Sequence, residues 1–217
     1  MLVRSSGDKV KGFLKYEDKD YPIRLRLKGD WTDHLLGDKW SFRVETRKNN
    51  AFLGMREFSL HHPRTRSYIS EYLFHRLLKY EGLPFLRYKF IPISLNGKYL
   101  GIYGLEEHFS KEFIENSRLR EGPILKLSEE DLRNEWNRNF IINNSIKEKS
   151  SIDRYLNTNQ NNAKIRTFNL QKISNNYEKI SQFQLAKNLL DEFLAKKKKT
   201  SEIFDISMTA KYFAIID

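Results

Sequence analysis

The sequence predicts an α+β fold: a twisted antiparallel sheet with one inserted helix, followed by a polar insert and then by further helices. Three observations carry that prediction. Apolar residues alternate at every second position in the first part of the chain. They switch to three- and four-residue steps over residues 66–80, then resume alternation on both sides of an Asn-Gly pair.

Ile23, Leu25 and Leu27 alternate with Arg24, Arg26 and Lys28, the period of a half-buried strand. Phe42 and Val44 alternate with Arg43 and Glu45 in the same way, and Phe58 and Leu60 close a shorter run. A polar, glycine-bounded loop over residues 29–38 joins the first two strands. Over residues 66–80, Ile69, Tyr72, Leu73, Leu77 and Tyr80 recur at helical spacing. That helix should end at Gly82, with Pro84 where it can no longer continue.

Residues 88–95 and 98–107 read as strands separated by Asn96-Gly97, a pair suited to the two positive φ angles of a type I′ turn. A short helix over residues 110–117 and a short strand over residues 122–127 follow. Twelve of the fifty residues from 131 to 180 are Asn and periodicity there is weak, which predicts a polar insert with short helices. Phe183, Ala186, Leu189, Leu190 and Phe193 then share one helical face. The last segment, residues 203–217, is apolar on most sides, with Asp205 or Ser207 as its N-cap.

Hydrophobic residues make up 39% and aromatics 13% of the 217 residues, enough to pack a core and too much for a disordered chain. The absence of cysteine excludes a disulfide scaffold, a zinc ribbon and a thiol nucleophile together. A net charge of +11 attracts polyanions such as nucleic acid, anionic lipid or nucleotide phosphates. The basic residues are nevertheless spread along the chain, apart from the Lys196–Lys199 run, so general Lys abundance accounts for most of the excess. No window of about 18 apolar residues occurs, and residues 1–8 lack the apolar stretch of a signal peptide. The compartment stays open: cell envelope, export or interior.

Neither a G-x-G-x-x-G nor a G-x-x-x-x-G-K-[ST] phosphate cradle occurs, nor a G-x-S-x-G elbow. His61-His62 is the one histidine pair, and neighbours on a strand point apart, so it makes a poor metal site and reads as structural. What remains is an order of elements: an antiparallel sheet, a helix inserted after its early strands, and a hairpin that leads out to a helical region. That order matches the small lobe of a protein kinase. There a basic strand residue holds the nucleotide phosphates and pairs with a helix carboxylate, and the strand leaving the sheet passes the adenine. Lys28 and Arg43 are the strand cations, Glu71 is the acid within the helix body, and Leu105-Glu106-Glu107 takes the hinge position.

Residues 23–127 resemble the CotH (spore coat protein H) kinase-like family of atypical kinases. The matching stretches are residues 26–29 (Arg-Leu-Lys-Gly), residues 39–44 (Lys-Trp-Ser-Phe-Arg-Val) and Gly82-Leu83-Pro84 after the helix. The clearest is residues 95–107, similar to the family's N-G-x-x-x-G-x-Y-x-x-x-E element, and Leu125-Lys126 also fits. The helix over residues 212–217 resembles the one that precedes the family's catalytic aspartates. Two departures bear on phosphate contacts: Asp30-Trp31 stands where the family often has Asn-Ser, and Arg66 is followed by Ser67-Tyr68 where Arg-Asn is common.

The resemblance implies a kinase-like nucleotide-binding lobe at residues 1–128, an Asn-rich insert at 129–180, and the first helices of a truncated larger lobe at 181–217. Its cofactors would be ATP and Mg²⁺, and its acceptors Ser or Thr hydroxyls on proteins. Lys28 and Arg43 would face the phosphates with Glu71 orienting one of them. Glu107, with the backbone of residues 104–107, would line the adenine, and Lys126 would be a further contact. The base and metal-binding aspartates would lie beyond residue 217, so the chain alone is expected to be an inactive nucleotide cradle. The rival reading is a non-catalytic module, or a pseudokinase, that docks an anionic partner through its basic sheet face. An RNA-binding sheet would carry exposed aromatics between its basic residues. The strand at residues 23–28 has none, which argues against nucleic acid.

Overall fold

The computed structural model describes residues 9–28, 32–35, 37–128, 164–168 and 173–216. Most of the Asn-rich stretch expected as an insert lies outside the described residues, as do residues 29–31. The chain forms two compact units, one of residues 1–121 with 204–217 and the other of residues 122–203.

The first unit is built on β1 (Val10–Tyr16), β2 (Lys19–Leu27), β3 (Phe42–Thr46), β4 (Glu57–His61), helix α1 (Ser70–Tyr80), β5 (Tyr88–Leu95) and β6 (Lys98–Glu107). The six strands form one curled antiparallel sheet in the order β1-β2-β3-β4-β6-β5. The chain leaves β4 through α1, enters the sheet edge as β5, and turns back so that β6 lies between β5 and β4. The fold class is therefore α+β, as the pattern of the sequence predicts.

Local chemistry accounts for the boundaries. Asn96 and Gly97 take φ of 50° and 83°, the left-handed pair that a tight I′ turn requires. Helix α1 closes on a Schellman motif: Gly82 has φ of 72°, Leu83 N–H donates to Leu78 O at 2.8 Å, and Gly82 N–H to Lys79 O at 3.2 Å. The helix begins at Ser70 rather than at residue 66. Residues 63–66 form a 3-10 turn opened by Pro63, whose first free N–H, that of Arg64, is accepted by the His62 ring at 3.0 Å. Ser67 and Tyr68 then take left-handed φ of 49° and 60°, which no helix tolerates.

Short helix α2 (Lys111–Asn116) follows the sheet, and α5 (Ile206–Ile216) returns to the same unit. Asp205 caps α5, accepting from Met208 N–H at 2.9 Å. The helix lies against α1, with Tyr212 edge-on to Phe74 at 6.2 Å and Lys211 donating to Glu81 O at 3.1 Å. The second unit contains the antiparallel ribbon β7 (Leu125–Ser128) and β8 (Lys164–Thr167), then α3 (Tyr177–Leu194) and α4 (Thr200–Ile203). Asn176 caps α3 by accepting from Lys179 N–H at 3.0 Å.

The two faces of the main sheet differ sharply. Ile23, Val44, Phe58, Leu60, Tyr103 and Leu105 make a buried apolar face, closed by Phe52 and Met55 from the β3–β4 connection. On the opposite face the cross-strand register lines up Arg26, Arg43, Ser59, Glu106 and Tyr88 in one rung across five strands. The side chains of such a rung project together. Helix α1 packs over the β5 end of this polar face, where Tyr72 meets the rings of Tyr88 and Phe90.

Candidate functional site

Lys28 follows the last residue of β2, and its backbone N–H is held by Ser41 O at 2.8 Å. Its ammonium is buried and donates to Glu106 Oε2 on β6 at 2.8 Å. That bond uses one of the three donors an ammonium carries. Glu106 Oε2 also lies 3.5 Å from His61 Nδ1, a buried nitrogen with no nearer acceptor among the described residues. Arg66, at the end of the 3-10 turn, brings a buried Nε that has no hydrogen-bond partner among the described residues.

Burial shapes the electrostatics of this group. For Lys28 desolvation outweighs the attraction of Glu106 and lowers the ammonium below the usual lysine range, with Arg43 and Arg66 adding repulsion. For Glu106 desolvation pushes the carboxyl up, but the charge and hydrogen bond of Lys28, with His61 and Arg66, overcome it and hold it at about 2. The carboxylate is firmly ionised, and the buried ammonium is the partner that gains most from further negative charge. His61 is pushed down to about 3 by burial and then by Lys28, and His108 to about 3 by burial and then by Arg43. Both rings are neutral near pH 7.

The structure brings two of the expected residues together, Lys28 and Arg43. Arg43 stands opposite Arg26 and Ser59 on the polar face, and its charge is felt at Lys28. Glu71 is not the partner of Lys28. It sits in the first turn of α1 and faces His75 Nε2 of its own helix at 3.4 Å. Glu107 belongs to the other face of the sheet. Its carboxylate is fully buried and taken by Arg87, through Nε at 3.0 Å, the backbone N–H at 3.1 Å and Nη2. The backbone of residues 104–107 is not free for an adenine either, because β6 is an interior strand laddered to β4 and β5. Lys126 lies in the second unit, its ammonium 5.1 Å from the centroid of the Phe168 ring.

Glu106, His61, Arg66 and Tyr88 complete the polar group, and none was singled out from the sequence as a binding residue. A signal for Glu106 was present. Tyr103, Leu105 and Glu107 share one parity along β6 and Gly104 and Glu106 the other, so the acid on the cationic face had to be Glu106.

A curled antiparallel sheet with an inserted helix, and a buried lysine at the end of β2 paired to a carboxylate, resemble a kinase-like lobe. The CotH kinase protein family matches residues 25–216, most of the chain, and the protein belongs to that family. No curated protein matches the chain.

Proposed function

We propose that the first unit binds ATP with Mg²⁺ through the polar face of its sheet, and that the protein serves phosphoryl transfer to Ser or Thr hydroxyls of other proteins. The observation that carries this reading is the buried Lys28–Glu106 pair. Two of the lysine's donors have no acceptor among the described residues, nor has the Nε of Arg66, whose charge acts on both members. Buried donors left without acceptors are costly unless something supplies one. Phosphate oxygens fit: they are anionic, they accept several hydrogen bonds at once, and they restore charge to the destabilised ammonium.

Lys28 then contacts the phosphates, Glu106 fixes the direction of its ammonium, and Arg66 and Arg43 offset the remaining negative charge. Mg²⁺, when bound, would supply neutralisation of the phosphate charge. Among the described residues no group of three or more His, Cys, Asp or Glu side chains could hold a metal ion, so none is assigned to it.

Calorimetric titration of ATP-Mg²⁺ into the chain and its Lys28→Ala variant tests the assignment. Loss of a charge-assisted contact should weaken binding by at least ~10-fold. Equal affinity in the two proteins would overturn it. A chain that bound polyanions while ignoring nucleotides would favour the docking-module reading.

A further inference from the structure

His61 lies on β4 and Tyr88 on β5, with β6 running between them. Adjacent strands are about 4.8 Å apart, so residues two strands apart meet only if their side chains reach across the one between. These two do: His61 Nε2 and Tyr88 Oη are 3.0 Å apart. The β6 residue opposite His61 is Gly104. A Cβ at that position would overlap Tyr88 Oη and stand 2.7 Å from His61 Nε2. The glycine has an ordinary backbone here, and what it supplies is the space through which the hydrogen bond passes.

Each end of this bridge touches something of consequence. The other ring nitrogen of His61, Nδ1, faces Glu106 Oε2 at 3.5 Å, the same oxygen that accepts from Lys28. The Tyr88 ring is stacked against His75 of α1, with centroids 6.1 Å apart and planes 28° apart, and meets Tyr72 of the same helix edge-on. His75 in turn faces Glu71. A continuous chain of side chains therefore runs from α1 to the lysine.

We propose that His61 and Tyr88 are positioning residues that hold Glu106 Oε2 on Lys28 and transmit the placement of α1 to that pair, over a gap kept open by Gly104. The link to nucleotide binding rests on the reading in the preceding subsection. The direction of the chain follows from chemistry. An ionised Glu106 only accepts, so the single proton of the neutral imidazole belongs on Nδ1, and Nε2 accepts the Tyr88 hydroxyl. The opposite tautomer would set an Nδ1 lone pair against a carboxylate. Where a helix carboxylate would otherwise reach the lysine directly, the imidazole of His61 and the phenol of Tyr88 stand here between α1 and the Lys28–Glu106 pair.

Tyr88→Phe removes the hydroxyl and leaves the ring packing in place. Nitrogen-15 NMR of the histidine rings in the free chain should find His61 as the Nδ1–H tautomer, and a mixture of tautomers in Tyr88→Phe. The Glu106 carboxyl, followed by carbon-13 titration, should titrate higher in that variant. ATP-Mg²⁺ affinity should fall ~3- to 10-fold, the worth of one neutral hydrogen bond, and His61→Asn, which keeps a donor near Nδ1, should recover more binding than His61→Leu. Gly104→Ala should match or exceed the loss. An Nε2–H tautomer in the native chain, or an unchanged Glu106 titration in Tyr88→Phe, would overturn the relay. Native affinity in Tyr88→Phe and His61→Leu, while Lys28→Ala still loses binding, would overturn its positioning role and leave the nucleotide reading standing. Failure of the native chain to bind ATP-Mg²⁺ would defeat the nucleotide reading alone, because tautomer and carboxyl titration are read without nucleotide.

Discussion

Glu106 and Glu107 are consecutive residues, both buried, both paired with a cation, and they lie on opposite faces of one sheet. The Glu107 pair is saturated. Arg87 gives it three donors and spends two more on Leu53 O at 3.0 Å and Gly54 O at 3.1 Å, tying the β3–β4 connection to the exit of β6. The Glu106 pair is open: among the described residues Lys28 makes one hydrogen bond, and the Arg66 Nε beside it makes none. Burial alone does not separate a structural ion pair from a binding one. The count of donors left over separates them better, because a buried donor without a protein acceptor calls for a bound ion, water or ligand to accept from it.

The sharpest way to break that comparison is to remove the cation from each pair. Arg87→Ala leaves Glu107 buried and uncompensated in the apolar face, and should cost about 3–5 kcal/mol in a urea or guanidinium unfolding curve. Lys28→Met should cost less, because the charge of Arg66 still acts on Glu106. Nucleotide affinity should move the other way, falling for Lys28→Met and holding in whatever Arg87→Ala remains folded. A Lys28→Met variant as unstable as Arg87→Ala would mean that the open pair is structural as well.

Acid should act through the polar face. His61 and His108 are held at about 3 in the folded chain, against an ordinary 6.5. Between those values the unfolded chain binds protons that the native one does not, so stability rises with pH across this window. The contribution is complete above 6.5 and is lost as pH falls toward 3, at most roughly 1.4 kcal/mol per pH unit for each ring. Unfolding midpoints compared at pH 7 and pH 5 should show the loss, and the double variant His61→Asn, His108→Asn should flatten it. An unchanged slope in that variant would place the acid-sensitive element off this face.

Period and turn chemistry made the sheet legible in advance. The hairpin at residues 88–107 forms with the bounds expected, because Asn96-Gly97 leaves one turn type and alternation sets the rest. The fold class followed from the order of such elements. Pairing across the sheet was harder to read. Lys28 and Glu106 are 78 positions apart, and nothing local joins them. Glu71 drew the assignment because kinase-like lobes place the carboxylate on the helix, yet here α1 presents Tyr72 and His75 to the sheet. His61 read as structural because its worth depends on a phenol and a missing side chain on two other strands. Parity along β6 was the unused clue, since it separates Glu106 from Glu107 before any strand is paired.

The smallest predicted effect tests that same substitution of roles. Glu71 and His75 form a helical i,i+4 contact at 3.4 Å, with the Glu71 side chain 28% exposed. Such a contact is worth about 0.3–0.5 kcal/mol when charged, less with a neutral imidazole. Glu71→Gln should therefore shift stability by about 0.5 kcal/mol or less and ATP-Mg²⁺ affinity by under ~2-fold. Glu106→Gln, which removes the charge beside a buried ammonium, should weaken that affinity by ~10-fold or more. The two variants measured side by side decide which acid serves the lysine. If Glu71→Gln were the more damaging, α1 would swing its carboxylate onto Lys28 when nucleotide binds, and the strand pair would be the resting arrangement of a mobile helix.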